Sequence, residues 1–302
     1  MDLWDNVVLW DKSMNGCTDK MVGRVRSAEF YFFNIKEQLP YEVKYLTAAE
    51  ELYFFGNTNT FLLNLELGDD IANLTQLKRL TLGSYGLTSL PKSLAALKNL
   101  EHLDLGSNNF QTVPEVLTPE NFPNLTALIL NACQRHTIAD LSNTTKTNFG
   151  GLFEESDVDA DGNKSFPKRL LKWSKLDTLR LSVNYLEGTL PDLENDPDFP
   201  KWTAEEVNAC DTLPEILIGK PKVLPDTDLF AINLNRLYGS APDWLLYHPK
   251  LDLWYPFSLV FFQEGKASNG TRAGFDNEPA NLDYYYEHYV NKQWNPANTN
   301  VE

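Results

Sequence analysis

A fifteen-residue pattern that recurs through the middle of the chain constrains its fold more than any other feature. Residues 77 to 91, LKRLTLGSYGLTSLP, fit the spacing LxxLxLxxNxLxxLP through Leu77, Leu80, Leu82, Leu87, Leu90 and Pro91, with Tyr85 at the Asn position. Residues 100 to 114, LEHLDLGSNNFQTVP, fit it again through Leu100, Leu103, Leu105, Asn108, Phe110, Val113 and Pro114. A third unit starts at Leu125 with Leu128, Leu130 and Cys133, and a fourth at Leu176 with Leu179, Leu181, Asn184, Leu186, Gly188, Leu190 and Pro191. A looser fifth holds Phe230, Ile232, Asn235, Leu237, Gly239 and Pro242. Toward the N-terminus, Leu52, Phe54 and Asn57 fit the pattern, as do Phe30, Phe32, Ile35, Leu39 and Pro40. Strand starts at 30, 52, 80, 103, 128, 179 and 230 are separated by 22, 28, 23, 25, 51 and 51 residues. The first four spacings bracket one unit, and each 51 is two units or one unit with an insertion.

The alternation LxL puts two apolar side chains on one face of a short strand, and the next Leu turns inward after a bend. The Asn side chain bonds backbone groups inside that bend, from one unit to its neighbour. Stacked units then bury a continuous core that no single unit buries alone. These motifs resemble the leucine-rich repeat family over roughly residues 28 to 245. The resemblance implies an α/β solenoid: a curved horseshoe with short parallel strands on its concave face, an irregular, 3-10 or helical convex side, and caps at both ends. Cys133 is then a small thiol at the Asn position, a substitution that such repeats accept. The segments LEGTLP and LYGSAP look like plant-type or bacterial surface variants, whose Gly and Pro shape a flatter convex side.

Seven to nine units are expected over 28–245, with insertions near 134–165 and 192–225. PKSLAALKNL from Pro91 matches PKRLLKWSKL from Pro167, so Phe166 and Pro167 close a degenerate unit whose strand is expected near residues 153 to 158. Residues 1–27 read as an N-terminal cap, with Trp4, Val7, Val8, Leu9 and Trp10 as its lid. Residues 246–302, with WYPFSLVFFQ, YYYEHY and Trp294, read as an aromatic-rich C-terminal cap that covers the exposed end of the core.

Charge narrows the partners. With 26 Lys+Arg against 42 Asp+Glu, the net charge of −16 repels phosphate backbones, so nucleic acid is not an expected partner. No apolar run approaches the roughly 18 residues of a spanning helix. Cys17, Cys133 and Cys210 allow at most one intrachain pair, and pairing of Cys17 with Cys210 stays open. The N-terminus carries Asp before any Lys and lacks a long apolar stretch, so it does not read as a secretory signal. The chain is then cytoplasmic, or a signal has been trimmed; the resemblance to bacterial surface proteins favours an extracellular or cell-surface location.

Strand side chains alternate, so the residues between and after the strand leucines face outward. They are Tyr31 and Phe33, Tyr53 and Phe55, Thr81 and Gly83, Asp104 and Gly106, Ile129 and Asn131, Arg180 and Ser182, Ala231 and Asn233. In the family this face is the ligand surface, which makes Tyr31, Phe33, Tyr53, Phe55, Thr81, Asp104 and Arg180 the candidate contacts for a protein or peptide. This alignment stacks Tyr31 on Tyr53 and Phe33 on Phe55, an apolar patch of the kind that marks contacts unless the N-terminal segment folds over it. A glycan is the alternative ligand, suggested by the same aromatics and by Tyr284, Tyr285 and Tyr286. Asp157, Asp159 and Asp161 before Gly162 resemble the opening of an EF-hand calcium loop, which would make the chain a calcium-dependent adhesion module, but Lys168 stands where the closing bidentate Glu belongs, so a solvated acidic turn is the preferred reading. His102, His136, His248 and His288 form no HExxH, and no GxSxG or P-loop occurs, so no catalysis is expected. Sequons at Asn73, Asn124, Asn143, Asn163 and Asn269 matter only in a eukaryotic secretory setting.

Overall fold

The structure, a computed structural model, describes residues 6–31, 39–56, 65–110, 112–133, 166–210 and 213–279. The chain divides into two compact units, Met1–Phe153 with Thr178–Tyr185, and Glu154–Asp177 with Leu186–Glu302.

In the first unit β1 (Val7–Leu9), β2 (Val25–Tyr31), β3 (Glu51–Phe55), β4 (Arg79–Gly83), β5 (His102–Asp104), β6 (Ala127–Ile129) and β7 (Thr178–Arg180) lie side by side in chain order. β1 runs antiparallel to β2, and each later pair is parallel. Leu52, Leu80, Leu103, Leu128 and Leu179 pair across the sheet in one row. All five are fully buried, as are Leu82, Leu105, Leu130 and Leu181 two residues further on. Parallel strands need a crossover; here 3-10 turns at Tyr41–Tyr45, Asp69–Asn73 and Lys92–Ala96 supply compact ones. The first and third of these turns follow Pro40 and Pro91, as the terminal LP of the pattern requires.

The structure corrects the first register. Ala28 pairs with Leu52, Phe30 with Phe54 and Tyr31 with Phe55, so the unit starts two residues earlier than Phe30. Tyr53 pairs with Glu29, and the expected Tyr-on-Tyr stack does not form. A slip of two residues preserves the faces, because the side-chain period of a strand is two. A second correction concerns the first 51-residue spacing: β6 pairs directly with β7, so no separate strand stands between them. The spacing is one unit with an insertion. Residues 134–165, which include the proposed strand near 153–158, lie outside the described residues.

The template Asn does the bonding expected of it. Asn108 Nδ2 donates to Leu105 O and, one unit back, to Leu82 O, both at 2.7 Å; Oδ1 accepts from the N–H groups of Tyr85 and Leu87 at 3.2 and 3.1 Å. Asn184 repeats this, donating to Leu181 O and Leu130 O and accepting from Cys133 N–H. Leaving such buried backbone groups unpaired costs about 1–3 kcal/mol each. Cys133 is buried, and its thiol donates to Leu105 O at 3.4 Å. In the N-terminal segment Trp10 is buried, with its indole N–H on Ala48 O at 2.8 Å, while Val8 and Leu9 remain about half exposed.

The second unit contains β8 (Glu187–Gly188), β9 (Leu229–Ala231), β10 (Arg236–Gly239), β11 (Gly274–Phe275) and the helices α1 (Ala204–Asn208), α2 (Asp243–Leu246) and α3 (Leu251–Ser258). β8, β10 and β11 form a small parallel sheet in which LEGTLP and LYGSAP supply the first two rungs. The match of Pro91 to Pro167 holds, since a 3-10 turn, Lys168–Lys172, follows Pro167 as Lys92–Ala96 follows Pro91. α1 belongs to the second insertion and begins with a capping box between Thr203 and Glu206. Lys222 and these bonds hold the Glu206 carboxyl down to about 2.

Asn235 likewise donates to Ile232 O and accepts from the N–H of Leu186, just before β8. The pattern also continues past residue 245. Gln263 donates to Val260 O and Ile232 O and accepts from Leu237 N–H, the same kinds of bond that Asn184 makes. α3 brings in Trp254, fully buried, with its indole N–H on Thr227 O. Among the described residues no helix is long and apolar enough to cross a membrane.

Candidate functional site

The outward rows of the β2–β7 sheet carry the candidate contacts. Each row runs across the strands because the apolar residues of LxL hold the alternate positions inward. One row reads Glu29, Tyr53, Thr81, Asp104, Ile129 and Arg180. A second begins with Tyr31, Phe55 and Gly83.

Tyr31 and Phe55 stack with ring centroids 5.3 Å apart and planes 7° from parallel, close to the spacing of neighbouring strands. Tyr31 remains 49% exposed. Gly83 makes room for this pair: a Cβ there would lie 3.3 Å from Phe55 Cδ1. Tyr53 is half-buried and donates from Oη to Glu51 at 3.3 Å. Burial, followed by the Glu51 charge, raises the Tyr53 hydroxyl above its usual range. Burial and then a bond with Glu29 do the same for Tyr31.

Further along the sheet, Asp104 folds back to accept from Gly106 N–H at 2.9 Å. Burial raises its carboxyl, while the Gly106 N–H and the charges of His102 and Arg180 pull it down. Burial lowers His102, aided by Arg79 and opposed by Asp104. Arg180 is exposed. The structure thus places an aromatic ledge on β2 and β3 and a mixed polar cluster on β5 to β7. This surface offers apolar area and hydrogen-bonding groups for recognition.

Thr81 departs from expectation. It is 2% exposed, because its short side chain sits in the row between the larger Tyr53 and Asp104. Phe33, Asp157, Asp159, Asp161, Tyr284, Tyr285 and Tyr286 lie outside the described residues. Cys133 is a structural thiol, pushed well above its ordinary range by burial and so held protonated. His102 belongs to no catalytic motif in the sequence, yet it shares the outward face with Asp104. Its place beside the first leucine of LxL was the available signal.

No family model matches the chain. It is 37% identical over 83 residues to an Arabidopsis thaliana protein named for disease resistance, a stretch covering 26% of this chain and 6% of that protein. It is 37% identical over 62 residues to the volume-regulated anion channel subunit LRRC8B of Mus musculus, covering 20% and 8%. The chain therefore spans only a small part of the length of these relatives. Among solved structures it is similar to the leucine-rich-repeat ectodomain of the Arabidopsis thaliana receptor kinase GASSHO1/SCHENGEN3, at 21% identity and TM-score 0.46, covering 79% of this chain and 21% of that one. A Leptospira interrogans leucine-rich-repeat protein matches at 19% identity and TM-score 0.40, covering 71% and 50%. The recurring LxxLxLxxN spacing, the parallel strands in repeat order and the side-chain amides bonded from unit to unit give this chain a leucine-rich-repeat fold.

Proposed function

We propose that the chain is a noncatalytic scaffold that binds a protein or peptide on the outward face of the β2–β7 sheet. Tyr31 and Phe55 anchor the partner, Tyr53 extends the ledge, and Asp104 and Arg180 set its polar selectivity. The observation that carries this reading is the stacked Tyr31–Phe55 pair with Tyr31 half exposed. Exposed aromatic area of this kind marks contact surfaces, and aromatic residues dominate binding energy where they are buried by a partner. Each ring already lends one face to the other, which favours an apolar side chain inserting beside the pair over a sugar lying flat on it. In the same reading the described parts of residues 1–27 and 246–302 pack on the repeats beside them, as the burial of Trp10 and Trp254 supports, with one more repeat turn, at Gln263, inside the C-terminal segment. A cell-surface location belongs to this proposal and is tested by fractionating the source cells.

The test of binding is capture from the envelope and medium of the source organism by the wild type and by a Tyr31→Ser/Phe55→Ser double variant. Loss of two anchors at about 2 kcal/mol or more is expected to reduce retention of a specific partner at least tenfold. Equal retention by a variant with an unchanged circular dichroism spectrum removes the reading.

A further inference from the structure

The segments that leave β8 and β10 read LPDLE and APDWL, so the same turn of two successive repeats sets Asp192 and Asp243 one rung apart. Both line a cavity of about 390 Å³ in the second unit, a size within the range of small-ligand pockets. Its apolar walls are Leu190, Pro221, Pro242 and Trp244. The indole N–H of Trp244 donates to Pro191 O at 2.9 Å and fixes that wall.

The polar lining offers acceptors. Asp192, Glu194 and Asp243 contribute carboxylates. The donors beside them are already engaged: the Asn277 amide bonds both backbone groups of Ala241, and the Ser240 hydroxyl donates to Asp276. The chain itself shows what these acceptors take, since the Lys220 ammonium lies between Asp243 and Glu194. Three carboxylates against that single ammonium leave the lining negative. Asp192 has one oxygen on the Glu194 N–H at 3.0 Å and is otherwise exposed. Among the described residues no three acidic, His or Cys side chains converge to hold a metal ion, so these carboxylates are spread too widely for a bare cation.

We propose that this cavity binds a guanidinium or ammonium group carried on an apolar stem, with Asp192 as its ion-pair partner and Trp244, Pro221 and Pro242 packed on the stem. The group has two sources: an arginine or lysine side chain of a protein, or a free alkyl amine or guanidine. Both satisfy acceptors and apolar walls together, which a neutral ligand or an anion does not.

Calorimetric titration of the full chain at low ionic strength tests this with three probes: agmatine, the blocked peptide Gly-Arg-Gly, and the same peptide with neutral citrulline for arginine. Saturable binding is expected for agmatine, for the arginine peptide or for both, and none for the citrulline peptide. Agmatine alone points to a free alkyl amine or guanidine, and tighter binding of the peptide points to a protein side chain. Asp192→Asn, at an exposed position and with an unchanged melting curve, is expected to weaken binding about tenfold, and added salt is expected to weaken it too. The proposal is overturned if neither cation saturates, if citrulline binds as well as arginine, or if Asp192→Asn binds like the wild type.

Discussion

The imidazole of His248 lies flat on Trp254 with centroids 3.8 Å apart, Nε2 sits 2.8 Å from Val223 O, and Nδ1 accepts from Lys250 N–H, so the neutral ring meets every partner it needs. A second proton would displace the Lys250 N–H inside a fully buried site, and burial holds the ring down to about 3. The sign of the pH dependence follows. The unfolded imidazole titrates near 6.5, so the stability from this site is complete above that pH and is lost as pH falls toward 3. Between pH 6.5 and 5 the expected loss is about 2 kcal/mol, at about 1.4 kcal/mol per unit. Urea melts of the wild type and His248→Gln across that range measure it: the variant should lose the His248 share of the slope while keeping that of His102, which has the same sign. Sequence alone does not show this site, because both the backbone that engages Nε2 and the indole on the ring are set by packing. Asn108 and Asn184 were legible because each makes its bonds at fixed offsets inside a repeating template. Gln263 makes the same bonds with a longer side chain in segment LVFFQ, and the template has no place for it.

At the scale of the element, the turn after each strand has a fixed backbone demand. The residue before the ladder position takes a left-handed conformation in five units: Ser84 at φ 62°, Ser107 at 57°, Ala132 at 53°, Val183 at 62° and Leu234 at 58°. A β-branched side chain is the least suited to that region. Val183→Asn is therefore expected to stabilise the protein by about 1 kcal/mol, and Ser84→Val to destabilise it by a similar amount, both read from urea midpoints at constant m-value. Strand positions were legible from β3 to β7, where a Leu occupies the first inward site of each strand. The register of the first strand is ambiguous in sequence because AEFYFF offers two alternating apolar settings two residues apart, and Ala28 is the weaker-looking start. The insertions were legible only as excess length. That the first opens no new rung depends on β6 pairing with β7, which a spacing of 51 leaves undecided.

For the molecule, repeat architecture makes stability nearly a sum of each repeat and its neighbour interfaces. Within the first unit, β4, β5 and β6 have parallel neighbours on both sides, whereas β1 has only β2. Hydrogen exchange is expected to be slowest at Leu103 and Leu128 and at least tenfold faster in Val7–Leu9. Uniform protection across these strands would mean that the unit opens only as a whole. The candidate face was legible as a parity of positions, with Tyr31, Tyr53 and Phe55 on its outward rows. What it lacked was depth: Thr81 is hidden and the Tyr31–Phe55 pairing is diagonal to the expected one, because neighbouring side-chain size and the two-residue slip act between strands.

The side-chain amides give the array a direction. Asn108, Asn184, Asn235 and Gln263 each reach back to the unit before them, and none of these bonds reaches forward. Trimming repeats from the front strips apolar contacts but leaves every remaining turn with its amide. Trimming from the rear strands the amide partners of the new last turn. Lineages that lengthen or shorten such a chain thus meet unequal barriers at its two ends, and a terminus that grows rearward must bring its own closing amide with each added repeat.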